Sequence, residues 1–382
     1  MNKKGCSLSS NGDRVLIGAG GTGGHLFPAL SLAAELKENG FQTALVTDTR
    51  AQQLIENSAC QNVYTIAAGR IAGRSWLGVL WAVGQMAVGM IESWALVRRL
   101  RPVVVVGFGG YASVPLLLVA RFAKIPMLVH ESNAVAGRAN RVLSRYATST
   151  AVAFSQTQKL EFLSPGALVH TGTPVRKSIA ALADVEYLPP IKSSNVHLLV
   201  LGGSQGSKAI GRIVPEAIRN LNQALRERLV VTQQVRDVDD KYVRQVYAEA
   251  RVRACLSSFI SDMPAALARS HLVIARAGAS TVAELSIAGR PSLLIPLPNA
   301  IDDHQLLNGR ELVDAGGAWV LEEQSLTVAS LAQSLSDLLG NPGRLSVAAA
   351  KAKSLGMPEA TSCLAGLVRK LAVASSPLGS LS

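Results

Sequence analysis

The hydrophobic pattern of the chain alternates short apolar runs with longer amphipathic segments. The short runs are rich in Val, Leu and Ile, which is typical of strands buried on both faces of a parallel sheet. Ala29–Glu38 is a representative amphipathic segment, and Gly40 follows it where a helix-ending glycine is expected. This βαβα order predicts an α/β fold with helices on both faces of parallel sheets. The predicted strands are Val15–Ile17, Thr43–Val46, Val103–Val106, Met127–Val129, Leu198–Leu201, Leu229–Val231, Leu272–Ile274 and Ser292–Ile295.

The length of 382 residues is too great for one ordinary core and fits two domains. Asp184–Asn195 is polar and contains two adjacent prolines, so we interpret it as the linker and the start of the second domain. The expected domains are residues 14–183 and residues 195–371.

Each predicted domain opens with a strand that runs directly into a glycine-rich turn. The first turn is Gly18–Gly24 and the second is Gly202–Gly206. Glycine allows a sharp turn whose amide N–H groups point at an anion, and the following helix adds its positive end. Two such turns predict two nucleotide-binding-type domains that face each other, with a phosphate-bearing ligand in the cleft between them.

His25 decides between two interpretations of the first turn. Its glycines also fit the dinucleotide fingerprint, with Asp48 where a ribose-binding acid would lie, so an NAD oxidoreductase is one alternative. A hydride-transfer enzyme needs no base beside a pyrophosphate, whereas a group transferase must deprotonate an acceptor near a phosphorylated donor. We therefore favour a transferase with His25 as base; a capping or packing role for His25 and a non-catalytic sugar-nucleotide sensor remain alternatives.

Further polar groups follow the other predicted strands. Gly107–Tyr111 would close the same crevice, and Asn133 could bind a sugar hydroxyl or cap its loop. We expect Ser280 and Thr281 to supply a helix N-cap and Glu284 to lie on the first turn, where its carboxylate could accept both hydroxyls of a ribose. The alternative for Glu284 is a capping box or a favourable charge at the helix terminus.

The net charge of +12 predicts an acidic partner: nucleic acid, an anionic membrane or a phosphorylated substrate. Nucleic acid is disfavoured because aromatic residues make up only 4% and no nucleic-acid-binding motif is present. The four scattered cysteines form no C-x-x-C pair, so the sequence supports neither a structural zinc site nor a redox couple. A polar run, Ser7–Asp13, stands where a signal peptide needs apolar residues, so we expect the chain to stay in the cytoplasm.

Trp76–Ile91 is a nearly uninterrupted apolar segment of 16 residues, with arginines at positions 70, 74, 98, 99 and 101 about it. It is shorter than the ~20 residues that span a bilayer. A buried helix and a membrane-surface helix with cationic flanks are both compatible with the pattern, and a true span is the least favoured.

Seven motifs, in this order, resemble the MurG family of N-acetylglucosaminyltransferases, which belongs to glycosyltransferase family 28 and makes lipid II in peptidoglycan synthesis. They are Gly20–Pro28, Gly107–Tyr111, His130–Asn133, Thr171–Arg176, Gly202–Gly206, Arg276–Glu284 and Asp303–Gln305. The similarity runs from about Arg14 to about Leu371. Ser132 stands where the family is expected to have glutamine, and Asp48 is not part of the family pattern.

This resemblance implies a GT-B fold, in which two Rossmann-like domains face each other across a cleft. It implies transfer of N-acetylglucosamine from UDP-N-acetylglucosamine to the muramoyl 4-hydroxyl of undecaprenyl-diphospho-N-acetylmuramoyl-pentapeptide, with inversion and without a cofactor or a metal. It also implies a peripheral position on the cytoplasmic face of the inner membrane, on an anionic lipid surface. Another GT-B enzyme that uses a nucleotide sugar, such as a diacylglycerol or natural-product glycosyltransferase, is the alternative.

The resemblance also assigns roles to single residues, with His25 as the catalytic base. The residues it implies for UDP-N-acetylglucosamine are Thr22, Gly23, Gly24, Asn133, Arg176, Ser204, Ile260, Ala279, Ser280, Thr281, Val282, Ala283, Glu284, His304 and Gln305. The residues it implies for the acceptor diphosphate are Gly20, Gly21, Gly109, Gly110 and Tyr111.

Overall fold

The computed structural model describes residues 13–51, 62–69, 76–203 and 206–374. Two compact α/β units divide the chain. The first comprises the residues up to Arg176 and those from Glu359 onward, and the second comprises Lys177–Pro358. Each unit has its own parallel sheet, so the predicted fold class, with two parallel-sheet α/β domains, is confirmed.

Within the described residues, the first unit is built on a seven-stranded parallel sheet in the order β3-β2-β1-β4-β5-β6-β7. Its strands are β1 Arg14–Gly18, β2 Gln42–Thr47, β3 Val63–Thr65, β4 Val104–Gly107, β5 Met127–Glu131, β6 Ser149–Val152 and β7 Leu168–His170. Its helices are α1 Gly23–Glu38, α2 Trp76–Leu100, α3 Ser113–Phe122, α4 Arg138–Ser144 and, after the chain returns from the second unit, α14 Ala360–Ala374.

The first sheet is buried on both faces. Val15 and Ile17 of β1 pack into one apolar cluster with α1 and α14, whereas Leu16 between them packs into a second cluster with α3. Alternate residues of a strand point to opposite faces, so an uninterrupted apolar strand is what this arrangement requires.

The second unit has a six-stranded parallel sheet, counted over the described residues, in the order β10-β9-β8-β11-β12-β13. Its strands are β8 Val196–Leu201, β9 Leu229–Gln234, β10 Arg253–Ser257, β11 Leu272–Ala275, β12 Ser292–Leu294 and β13 Ala318–Val320. Its helices are α5 Lys177–Ala180, α6 Lys208–Arg219, α7 Gln223–Arg228, α8 Asp237–Glu249, α9 Met263–Arg269, α10 Ala279–Ala288, α11 His304–Asp314, α12 Val328–Leu339 and α13 Pro342–Ser354.

The compact units differ from the expected ranges 14–183 and 195–371 at both boundaries. The second unit already begins at Lys177, before the expected linker, and the chain returns to the first unit from Glu359 onward. Helix α14 packs against α1 and places Leu364, Ala365 and Val368 in the core of the first unit. These apolar side chains cover the sheet face that α1 leaves open, which is why the chain returns to the first unit.

Helix α2 contains the apolar segment Trp76–Ile91 and continues through its arginines to Leu100. By length and composition, Gly78–Leu100 could cross a membrane. Only 22% of its apolar 18-residue stretch is buried against the rest of the protein. Its exposed apolar side chains are Leu80, Trp81, Val83, Val88, Ile91 and Trp94. The interpretation of this segment as a buried core helix is therefore wrong. Of the arginines that flank it, Arg70 and Arg74 lie outside the described residues.

Candidate active site

The two glycine turns of the first unit touch each other at the carboxyl ends of β1 and β4. The Gly20 amide donates to the Gly109 carbonyl at 3.0 Å. A Cβ on Gly110 would lie 2.5 Å from the Gly20 Cα, so neither turn has room for a side chain at this contact. Gly109 and Gly110 also have φ of +86° and +78°, a conformation that favours glycine. The structure thus brings together Gly20, Gly109 and Gly110, three of the residues predicted for the acceptor diphosphate.

Two amides of the first turn are already engaged in the fold. Besides the Gly20 bond, the Gly21 amide donates to the buried Asp48 carboxylate at 3.2 Å. Asp48 therefore fixes the turn. Helix α1 begins immediately afterwards, at Gly23, and the amides of a helix's first turn have no intrahelical partner. Gly23 and Gly24 are the positions at which this turn offers a helix N-terminus to an anion.

His25 lies in the first turn of α1, over the second glycine turn. Its Nδ1 is 3.1 Å from Oγ1 of Thr22, the helix N-cap residue. Its Nε2 would be 3.4 Å from a Cβ on Gly109, so the ring occupies the space that the absent side chain leaves. Thr22 makes no side-chain cap hydrogen bond with the helix, which leaves its hydroxyl to the imidazole.

Glu131, the last residue of β5, is a buried anchor for the loop that follows. Its Oε1 accepts from the backbone and side-chain amides of Asn133 at 2.9 and 3.1 Å. Its Oε2 accepts from the Gly137 amide at 2.9 Å and from Asn140 Nδ2 at 2.8 Å. The side chain is 2% exposed. Four hydrogen bonds tie this buried carboxylate to the loop, so its role here is to position the loop.

Asn133 is half-buried, and its amide group is part of this loop network. Its expected contact with the sugar therefore stays a prediction. Asn140, which the sequence did not single out, packs beside Gly109: a Cβ there would be 3.3 Å from Asn140 Nδ2. The sequence does contain a signal for Asn140. Gly137 is the N-cap of α4, and the side-chain amide of Asn140 follows within the first turn of that helix.

His130 connects β5 to the loop that carries Arg176. Its Nε2–H donates to the Gly172 carbonyl at 3.0 Å, and the Ser132 hydroxyl is 3.3 Å from Nδ1. A carbonyl can only accept, which fixes the tautomer. Burial lowers the pKa of His130 from 6.5 to about 4, so the ring is neutral at physiological pH. Ser132, which stands where the family is expected to have glutamine, therefore contacts the His130 ring.

Stability should depend on pH through His130. The folded-state pKa lies below the ordinary value, so the unfolded chain takes up a proton first as the pH falls. Between about pH 7.5 and about pH 5, wild-type protein should lose about 2 kcal/mol more unfolding free energy than His130→Gln, which keeps a donor for Gly172. Urea denaturation at the two pH values measures this difference. Equal losses in both proteins would contradict a buried neutral His130.

Arg176 ends the first unit and lies beside α1. Its guanidinium is 6.0 Å from the ring centre of Phe27, two residues after His25. The preceding residue, Val175, exchanges hydrogen bonds of 3.0 and 2.9 Å with the Thr361 hydroxyl of α14. The returning helix therefore helps to fix the backbone that carries Arg176.

In the second unit, the glycine turn after β8 requires glycine at its described positions. A Cβ on Gly202 would lie 2.6 Å from the Ser207 amide, and Gly203 and Gly206 have φ of +84° and +68°. The predicted donor residue Ser204 lies outside the described residues. Ser207 caps α6 by accepting from the Ile210 amide at 3.2 Å, so the turn leads directly into a helix N-terminus.

Arg276, at the end of β11, holds the surrounding loops together. Its guanidinium donates to Ser207 Oγ at 2.8 Å and to the carbonyls of Ile295 and Pro296 at 3.1 and 3.0 Å. It also forms an ion pair of 2.5 Å with Glu323. Arg276 directly follows an apolar strand, and this position was the sequence signal that it could anchor loops at the sheet edge. The sequence analysis assigned the function of this motif to Glu284 and so missed the role of Arg276.

Helix α10 contains Ala279–Glu284, which the resemblance assigns to UDP-N-acetylglucosamine, but the helix begins earlier than expected. Gly278 is the N-cap, so the expectation that Ser280 and Thr281 form the cap is wrong. Glu284 is the sixth residue of the helix and lies in its second turn, which excludes the capping-box interpretation. Glu284 is half-buried, as are Ser280, Thr281 and Ala283, whereas Ala279 and Val282 are buried.

The remaining predicted donor residues lie in loops of the same unit. Gln305 Oε1 accepts from the Leu297 amide at 2.9 Å, which ties the start of α11 to the loop after β12. Asn299, Asp302 and Asp303 in that loop have φ between +48° and +56°. Such strain in side-chain-bearing residues is frequent at binding sites. His304 opens α11, and Ile260 is half-buried in the loop after β10.

Among the described residues, no group of three or more His, Cys, Asp or Glu side chains could hold a metal ion. The donors brought together are amides, hydroxyls and guanidinium groups, which suit phosphate and sugar ligands.

Both halves of the chain match models of the same protein family. The glycosyltransferase family 28 N-terminal domain matches residues 15–152, and the C-terminal domain of that family matches residues 197–363. The chain is 43% identical, over 94% of its length and 97% of the relative's, to the UDP-N-acetylglucosamine--N-acetylmuramyl-(pentapeptide) pyrophosphoryl-undecaprenol N-acetylglucosamine transferase of Paramagnetospirillum magneticum. It is 45% identical to the transferase of the same name from Granulibacter bethesdensis, over 96% of each chain. The crystal structure of Acinetobacter baumannii MurG is similar with a TM-score of 0.75 and 30% identity, over 94% of this chain and 99% of that one.

Proposed function

Since the chain belongs to glycosyltransferase family 28, we propose that it transfers N-acetylglucosamine from UDP-N-acetylglucosamine to the 4-hydroxyl of N-acetylmuramic acid in undecaprenyl-diphospho-N-acetylmuramoyl-pentapeptide. The observation that carries the proposal is the similarity to transferases of this name over nearly the whole length of both chains. The NAD oxidoreductase and the non-catalytic sensor are thereby excluded.

The proposed chemistry is a single displacement with inversion. The acceptor 4-hydroxyl oxygen bonds to the anomeric carbon of N-acetylglucosamine while the bond from that carbon to the UDP β-phosphate oxygen breaks. The hydroxyl proton passes to Nε2 of His25, which requires that Nδ1–H donates to Thr22 Oγ1, 3.1 Å away. UDP leaves with the electron pair of the broken bond.

The charge that develops on the leaving diphosphate needs fixed positive groups. In the second unit, the N-terminus of α6, after the second glycine turn, is one such group. The family resemblance implies the Arg176 guanidinium as another. Glu284, in the second turn of α10, supplies an acceptor for the ribose hydroxyls. In the first unit, the turn at Gly109, Gly110 and Tyr111 would take the acceptor diphosphate, because the amides of Gly20 and Gly21 already donate within the fold.

The transfer itself is tested with the purified full-length chain. Radiolabelled UDP-N-acetylglucosamine is supplied with a lipid I analogue or with diacylglycerol, and the products are separated. Label in a polyprenyl-linked disaccharide is the expected result. Label only in the diacylglycerol product would favour the alternative GT-B enzyme, and label in neither product would overturn the proposal.

The enzyme would meet its acceptor on an anionic membrane surface, at the cytoplasmic face of the inner membrane, because a polyprenyl lipid is confined to the bilayer. Helix α2 supports this position, since one face exposes apolar side chains and its end carries Arg98 and Arg99. Arg98 stacks on Trp94, with 5.1 Å from its guanidinium carbon to the ring centre. Apolar side chains can enter the headgroup boundary while nearby arginines attract anionic lipid.

Binding should therefore depend on both lipid charge and the apolar face of α2. Wild-type protein should sediment with phosphatidylglycerol-containing vesicles but not with pure phosphatidylcholine vesicles, and high salt should release it. Ile91→Asp, at a side chain that is 71% exposed, should weaken this binding by about tenfold or more. The matched control is Val347→Asp on α13 of the other unit, where Val347 is 57% exposed. Equal binding by wild type and Ile91→Asp, or no binding of wild type to anionic vesicles, would contradict the membrane role.

A further inference from the structure

Arg236 lies beside the second glycine turn and has no role in the motifs that define the family resemblance. A Cβ on Gly206 would be 2.7 Å from Arg236 Cγ and 3.3 Å from its Cδ. Gly206 also has φ of +68°, so two independent constraints keep a side chain out of the place where the arginine stem passes. The turn and the arginine are therefore packed together.

The topology places Arg236 between two predicted parts of the donor site. It follows β9, which lies between β8 and β10 in the sheet. The glycine turn follows β8, and the loop with Ile260 follows β10. The Val235 amide donates to the Ser257 carbonyl at 2.9 Å, which joins the Arg236 segment to the start of that loop. An arginine here stands at the carboxyl edge of the sheet, where open α/β sheets bind their ligands.

Asp239 fixes the orientation of the guanidinium. Arg236 donates from Nε and Nη2 to Asp239 Oδ2 at 2.9 and 2.6 Å, and Arg212 donates to Oδ1 at 2.8 Å. The Asp239 side chain is 2% exposed, whereas that of Arg236 is 37% exposed. Hydrogen bonds from Arg236 hold the pKa of Asp239 below its usual range. Two guanidinium groups share one carboxylate, so the cluster keeps one net positive charge.

We propose that Arg236 binds the diphosphate of the nucleotide donor, as a further binding residue. The inference rests on the proposed function, because it takes the ligand to be a uridine diphosphate sugar. The side chain is held by a buried carboxylate, so little conformational freedom is lost when it contacts phosphate. Its delocalised charge and planar donor edges suit phosphate oxygens.

The test compares UDP with uridine, using calorimetric titration of the full-length chain. Arg236→Gln should weaken UDP binding by about 10- to 100-fold and leave uridine binding unchanged, because only UDP carries the diphosphate. The matched control is Arg212→Gln, which removes the other guanidinium that donates to Asp239. It should bind UDP within about twofold of wild type.

Each other outcome has a separate meaning. Unchanged UDP affinity in Arg236→Gln would overturn the inference, and so would an equal loss of UDP and uridine binding, which indicates a distorted loop. A melting temperature equal to that of wild type identifies Arg236→Gln as folded. If Arg236→Gln proves unstable, Arg236→Lys is used instead. It keeps the charge without the planar edge and should retain part of the UDP affinity. Failure of the wild-type chain to bind UDP would overturn the proposed function itself.

Discussion

Replacing His25 by alanine should lower kcat by about 10²- to 10⁴-fold and leave UDP affinity nearly unchanged. A general base acts on the acceptor proton in the transition state, and the ground-state complex with UDP does not use it. The position of the ring, beside the joined glycine turns and 3.1 Å from the Thr22 hydroxyl, is what a fixed base requires. Steady-state kinetics with a lipid I analogue and calorimetry with UDP measure the two effects separately.

The matched control for His25→Ala is His170→Ala, at an exposed histidine of β7 in the same unit. It should retain near-normal turnover. Near-normal turnover in His25→Ala would remove His25 from the base role. Glu131 is an unsuitable substitute, because its two carboxylate oxygens already accept four hydrogen bonds that hold its loop.

The sequence predicted the buried centre of each sheet better than its edges. All eight predicted strands are present. A strand covered on both faces must be continuously apolar, so such strands can be recognised from the sequence. The missed strands are β3, β6, β7, β10 and β13, of three to five residues. β10 alternates exposed and half-buried positions, so its composition differs little from that of a loop. Its place is set by pairing with β9, which a local pattern does not show.

The site was predictable as a set of motifs but not as a set of contacts. The sequence identified Gly20 and Gly110 separately, yet their backbone contact joins segments about ninety residues apart and depends on β1 pairing with β4. Arg276 was likewise visible after its strand, but its partners come from three other loops. The error at α10 had a local cause: Gly278 adopts the extended cap conformation itself, so the helix begins before Ser280.

Replacing Glu284 by alanine should weaken UDP binding by about 1.5–3 kcal/mol, because a charged acceptor for the ribose hydroxyls is lost. Because Gly278 is the N-cap of α10, the expected loss of UDP affinity in Glu284→Ala cannot be attributed to a lost helix cap. Glu284 lies beyond the capping positions, so the change removes no cap from α10. Calorimetric titration of UDP measures the loss, and Glu311→Ala, at an exposed acid of α11, controls for the change in charge.

A ligand lacking one hydroxyl identifies the atoms that Glu284 contacts. Wild-type protein should bind 2′-deoxy-UDP more weakly than UDP, whereas Glu284→Ala should bind the two ligands almost equally, because the acceptor for that hydroxyl is already gone. If the variant discriminates between the ligands as strongly as wild type, the ribose is bound by other groups. Unchanged affinity of Glu284→Ala for UDP would remove Glu284 from the site, and the second turn of α10 would then serve only to pack the helix onto its sheet.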